Sequence, residues 1–147
     1  MTTMFTSEKN DYVSHLQITD NASDVQKVAD WLQVELQRLN VSSELTFKFD
    51  LCANEIISNI ISYAFSQQTT NDINLLLKLN SNVLTLEIKD KGIPFNPLEK
   101  PTHKQPISIA DAPIGGLGID LVRHYMIELD YQRHQNTNVL CMNADIG

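Results

Sequence analysis

The apolar residues of this chain change their period once, and that change limits the folds open to it. From Val25 to Ala64 they recur every three or four positions, whereas from Ile73 to Ile88 they alternate with polar ones. The first period builds helices with one apolar stripe, and the second builds strands with one apolar face. Val25, Val28, Leu32, Leu36 and Leu39, with Trp31 beside them, mark an amphipathic helix ending near Asn40. Asn21 and Asp24 have the spacing of an N-cap and its N3 partner. Ser42 or Ser43 can cap a second helix, with Glu44 in its first turn. That helix runs through Leu45, Phe49, Ala53, Ile56, Ile60 and Ala64 to about Phe65.

Val13–Thr19, Ile73–Leu79 and Val83–Lys89 read as strands, the last two forming an antiparallel hairpin around Asn80-Ser81-Asn82. Residues 92–113 hold all five prolines and few periodic apolar positions, as a functional loop or a disordered one would. Glycines then lead into a third apolar-periodic helix, GGLGIDLVRHYM. Two more strands, Glu128–His134 and Val139–Asn143, flank the turn Gln135-Asn136-Thr137. The expected order is β-α-α-β-β-loop-α-β-β. It predicts an α+β chain, residues 1–147 as one domain, with helices layered on one face of a mostly antiparallel sheet.

A net charge of −7 argues against a nucleic-acid surface, which needs clustered Lys and Arg. Cys52 and Cys141 form no CxxC pair and read as reduced thiols. The start, MTTMFTSEKNDY, has neither the basic nor the apolar segment of a signal peptide, and no apolar run is long enough to span a membrane. A reducing cytosol is the expected compartment.

Three features could carry chemistry. Glu55 and Asn59 lie four residues apart on one helical face, within NEIISNIISYAF. Alone, the pair fits a solvated stripe as well as a polar pocket, because an unpaired buried carboxylate is costly. Asp90-Lys91-Gly92 follows a strand, as a surface turn or a ligand-approaching loop would. Gly115-Gly116-Leu117-Gly118 opens a helix, where free N–H groups and the helix dipole suit an anion. It is neither a dinucleotide fingerprint nor a P-loop. His15, His103, His124 and His134 show no metal-ligand spacing, and no HExxH, GxSxG or HRD motif is present.

Taken in order, the three features resemble the nucleotide-binding boxes of the histidine-kinase-like (GHKL) ATPases. NEIISNIISYAF is similar to the N box, IKDKGIPF to the first glycine box and GGLGIDLVR to the second. DKGIPFNP, GGLGIDLVRHYM and the final YQRH…NVL pair resemble the RsbW/SpoIIAB-like anti-sigma-factor serine kinases, over about residues 10–144. The resemblance implies the Bergerat ATP-binding fold, a two-layer α/β sandwich on a mixed, mostly antiparallel sheet. It also implies ATP with Mg²⁺, and a lid over residues 96–114.

The resemblance makes Glu55 the general base and Asn59 the Mg²⁺ ligand, roles that suit a carboxylate and an amide oxygen. Asp90 would accept from the adenine amine, Gly92 would leave room for the base, and Gly116, Leu117 and Gly118 would hold phosphate. Thr137 matches the family's adenine-side threonine, with Asn136 where a glycine is usual. Implied partners are a sigma factor, a STAS-domain anti-anti-sigma protein as phosphate acceptor, and a second copy of the chain. Two departures stand out. Tyr63-Ala64-Phe65 replaces the family's common His-Ala-Tyr, and the lid segment has no arginine. A γ-phosphate contact would then fall to His103, Lys104 or a residue elsewhere, such as Arg123, although one turn into the helix Arg123 suits a structural role better. The arginine-free lid also allows a nucleotide-dependent binding module without phosphoryl transfer, or plain ATP hydrolysis.

Overall fold

A computed structural model describes residues 2–5, 11–65, 71–97 and 128–146. In chain order these form β1 (Thr2–Phe5), β2 (Tyr12–Thr19), α1 (Ala22–Arg38), α2 (Ser43–Tyr63), β3 (Asp72–Asn80), β4 (Val83–Asp90), β5 (Glu128–His134) and β6 (Thr137–Asp145). The strands make one sheet in the order β1-β2-β3-β4-β6-β5, and every described pairing is antiparallel. The α+β architecture therefore holds. Strand β1 is an addition to the expected order, hydrogen-bonded to β2 from Thr2↔His15 to Phe5↔Tyr12. The expected third helix, and the lid beyond residue 97, lie outside the described residues.

Each helix is bounded as its cap chemistry dictates. The Asn21 side chain accepts from the Ser23 amide at 3.0 Å. Asp24 reaches back past the cap to Thr19, accepting from its amide at 3.0 Å and its hydroxyl at 2.9 Å, so the last residue of β2 is tied to the first turn of α1. Helix α1 closes with the Val41 amide donating to Leu36 O and the Asn40 amide to Gln37 O. Asn40 takes the left-handed conformation (φ 58°) that this closure requires, which asparagine tolerates better than most residues. Of the two candidate serines, Ser42 caps α2, its Oγ accepting from the Leu45 amide at 3.1 Å.

The strand alternation buries one face of the sheet. Ile73, Leu75 and Leu77 of β3, Leu84, Leu86 and Ile88 of β4, and Leu140 and Met142 of β6 share a core with Leu32 and Leu36 of α1 and Phe49, Ile56, Ile57 and Ile60 of α2. Each such side chain contributes roughly 1.5–3 kcal/mol when fully buried. A buried polar contact also crosses the layers: the indole Nε1 of Trp31 donates to Ser14 Oγ at 2.9 Å. Among the described residues, no helix is long and apolar enough to cross a membrane.

The β5–β6 turn is tighter than the sequence suggests. Only Gln135 and Asn136 lie in it, both with positive φ (49° and 63°), the pattern of a two-residue type I′ hairpin. Thr137 is already in β6, opposite His134. This register sets the site.

Candidate functional site

At one end of the sheet, a row of three side chains crosses three strands. Asp90, the last residue of β4, pairs with Asn138 of β6, which pairs on its other side with Arg133 of β5. Asn138 Nδ2 donates to Asp90 Oδ1 at 2.9 Å and to Ile93 O at 2.8 Å. Its Oδ1 accepts from Tyr131 Oη at 2.6 Å, Arg133 Nη1 at 3.1 Å and the Phe95 amide at 3.3 Å. Arg133 Nη1 also donates to Gly92 O at 2.7 Å. A carboxylate thus sits at the donor end of a buried amide, and a guanidinium at its acceptor end.

Asp90 Oδ1 also accepts from the Gly92 amide at 2.9 Å. Among the described residues all hydrogen bonds to the Asp90 side chain go to Oδ1, which leaves Oδ2 to accept from a ligand donor. Burial pushes the Asp90 carboxyl above its ordinary range, while the Asn138 and Gly92 hydrogen bonds and the Arg133 charge act against that rise.

The loop after Asp90 docks on the end of α2. The Ile93 amide donates to Ala64 O at 2.9 Å, and the rings of Tyr63 and Phe95 meet with centroids 5.5 Å apart. Gly92 packs against the same place: a Cβ there would lie 2.4 Å from Ala64 O and 2.8 Å from Ala64 C and Cβ. The space that a side chain at Gly92 would take is therefore filled by the C-terminal end of α2. Asn59 lies five residues before Ala64, about 7.5 Å along the helix axis, and Glu55 a further ~6 Å back. Glu55 is half-buried. Asn59 is 3% exposed, and its Nδ2 has no hydrogen-bond partner among the described residues. A half-turn of the amide puts Oδ1 in that position, so the group can present either a donor or a hard oxygen ligand.

A cavity of about 840 Å³ opens beside this end of the sheet, mainly on the face opposite the helices. Asp90 and Thr137 border it together with His15, Asn74, Lys89 and Val139, whereas Glu55, Asn59 and Gly92 do not. The structure thus brings Asp90, Gly92 and the end of α2 together directly, and sets Thr137 one residue from Asp90's cross-strand partner. Thr137 Oγ1 donates back to Gln135 O at 3.4 Å. Gly116, Leu117, Gly118, His103, Lys104 and Arg123 lie outside the described residues.

The sequence reading missed Asn138, Tyr131 and Arg133. One signal was present. Asn138 is the polar first member of the alternating row Asn138-Leu140-Met142-Ala144, whose other members are apolar. An amide in a core-facing row must find partners.

A family model described as a histidine kinase-like ATPase domain matches residues 18–144. The chain is 34% identical over 114 residues to the serine/threonine-protein kinase BtrW of Bordetella bronchiseptica, covering 78% of this chain and 80% of that protein. Its fold is similar to that in a structure of the RsbU and RsbW domains of Rv1364c from Mycobacterium tuberculosis (TM-score 0.63, 8% identity, 91% of this chain and 32% of that one). It is also similar to the blue-light activated histidine kinase of Erythrobacter litoralis (TM-score 0.51, 18% identity, 72% and 32%). The chain spans about a third of the length of these two solved chains, and at such identities the likeness concerns the fold. With nearly all of its length inside that family match, the chain belongs to the histidine kinase-like ATPase domain family.

Proposed function

We propose that this protein is an ATP-dependent serine/threonine kinase of the anti-sigma-factor type. It transfers phosphate to a Ser or Thr of a STAS-domain antagonist and sequesters a sigma factor, working as a homodimer in the cytosol. The observation that carries this reading is the 34% identity, over four-fifths of both chains' length, to a protein named as a serine/threonine-protein kinase. Two residues of the site support it. Asp90 offers an uncommitted carboxylate oxygen to the adenine amine. Asn59 has a buried amide nitrogen without a partner among the described residues, and turning the amide over places there an oxygen that fits a ligand for Mg²⁺. The metal, when bound, supplies charge neutralisation on the phosphates. Glu55 takes the proton of the acceptor hydroxyl as its oxygen bonds the γ-phosphorus and the bond to the ADP oxygen breaks. Gly116, Leu117 and Gly118 would hold the phosphates with backbone N–H groups.

Incubation with Mg-ATP and a STAS-domain protein tests the proposal, with phosphate on the acceptor expected for wild type. Glu55→Gln should abolish transfer and leave ATP binding intact; normal transfer by Glu55→Gln refutes its role as base. The lid segment's lack of arginine favours one other reading, a regulator that grips its partner when nucleotide is bound but transfers nothing. Nucleotide-dependent capture of a sigma factor with no phosphoprotein formed would select it.

A further inference from the structure

Asn138 is saturated. Both of its N–H groups are donated and its oxygen accepts three hydrogen bonds, two of them from the charged or hydroxyl ends of β5 side chains. It is also 3% exposed, so solvent replaces none of these partners. Arg133 and Tyr131 stand two residues apart on one face of β5, and both aim at this one amide oxygen. The amide can therefore sit in only one orientation, nitrogen toward Asp90 and oxygen toward the guanidinium. A reversed amide would set its nitrogen against the Arg133 donor and its oxygen against two acceptors, Asp90 Oδ1 and Ile93 O.

We infer that the row Asp90–Asn138–Arg133 determines base specificity, with Asn138 as the positioning residue that makes Asp90 an acceptor and nothing else. The inference rests on the reading of Asp90 as the group that meets the purine ring. Asn138 Nδ2 and the Gly92 amide hold Oδ1, so the proton-free Oδ2 is what a base encounters. Arg133 backs this from the far side of the amide, favouring the charged carboxylate. Such a carboxylate accepts from a 6-amino purine and repels a 6-oxo purine, whose oxygen offers no proton. Without the Asn138 amide, burial favours the protonated carboxyl, which can donate to a 6-oxo group and so tolerates it. Arg133 and Asn138 thereby also fix the loop, through Gly92 O and Ile93 O, at the distance where this choice is made.

The test compares binding of ATP and inosine triphosphate by calorimetry in wild type, Asn138→Leu and Arg133→Gln, with thermal melts to establish folding. The two nucleotides differ at the 6-position and in the proton that inosine carries on N1. Wild type should prefer ATP by about tenfold or more, the ratio expected for one charge-assisted hydrogen bond. Asn138→Leu should bring the ratio close to one, chiefly through lost ATP affinity. Arg133→Gln, which keeps the Asn138 amide, should narrow the ratio by several-fold and is the arbiter if Asn138→Leu melts below assay temperature. A purely structural role would weaken both nucleotides equally. An unchanged ATP-to-inosine ratio in the folded variants overturns the inference alone. A wild type that binds both nucleotides equally, or neither, overturns the reading of Asp90 as well.

Discussion

Gly92→Ala separates two reasons for a glycine beside Asp90: room for a ligand, and room for the protein itself. The added Cβ would lie 2.4 Å from Ala64 O and 2.8 Å from Ala64 C and Cβ, well inside van der Waals contact with backbone rather than with a movable side chain. Either the end of α2 or residues 91–95 must shift. The shift breaks the hydrogen bond from the Ile93 amide to Ala64 O and strains that from the Gly92 amide to Asp90. One lost and one weakened hydrogen bond cost about 1–2 kcal/mol, and the overpacking adds about 1–3 kcal/mol. Alanine's smaller unfolded-state entropy returns about 0.4–1 kcal/mol. The net expectation is a loss of roughly 2–4 kcal/mol.

Urea unfolding followed by circular dichroism reads this as a lowered midpoint at unchanged slope. The companion variant Ala64→Gly removes one of the three close atoms but not the carbonyl, so the double variant should recover little of the loss. A Gly92→Ala protein within about 0.5 kcal/mol of wild type, yet impaired in ATP binding, would refute the reasoning and return the glycine to the ligand alone.

Asp24 accepts from Lys27 Nζ and from the amide and hydroxyl of Thr19, which hold its carboxyl down at about 2 against the ordinary 3.8. A depressed pKa contributes stability that is complete above the unfolded value and disappears as pH falls through the folded one. Thermal melts should therefore show a decline between about pH 4 and pH 2, and Asp24→Asn should flatten it; an identical decline in the variant rules Asp24 out as its source. Ser14→Ala removes the hydroxyl that accepts from buried Trp31 Nε1 and should cost about 1–3 kcal/mol in urea unfolding, a loss under about 0.5 kcal/mol counting against the contact. Burial pushes the Cys52 thiol up to about 11. Ellman's reagent at pH 8 should therefore leave Cys52 unmodified in native protein and label it in denaturant, and prompt native labelling would contradict its position in the core.

What the sequence made legible was decided locally. The caps at Asn21 and Ser42, the helical stripes and the alternation of β3 and β4 each depend on neighbours within a turn or a pleat, and they form where their spacing says. Strand β1 was not legible because four residues carry no period, and their state depends on the edge that β2 offers. The turn at 135–136 was read one residue too long. No glycine marks its positive-φ positions, which are filled by Gln135 and Asn136 instead. In a strand, one residue of register exchanges the two faces. Thr137 was named from the family resemblance, whereas Asn138, its neighbour on the core-facing side, belongs to no motif and stands out only once this register is known.

The same reasoning explains why the site's support could not be read from its motifs. Asp90 and Gly92 are two residues apart, and Glu55 and Asn59 one helical turn, so each pair is visible as a pair. What aligns the pairs is a set of four hydrogen bonds across long separations. The Ile93 amide bonds the end of α2, Arg133 bonds Gly92 O, and Asn138 bonds Ile93 O and Asp90 together. The loop that follows β4 is thus held at its back by a helix terminus and at its side by the β5–β6 hairpin. Within its short polar motif the Gly92 amide bonds Asp90, and the remaining groups that fix its shape lie elsewhere in the chain. Chemistry is compact in this sequence, and the constraint that positions it is distributed. A motif found without its supports therefore identifies the family sooner than it establishes a working site.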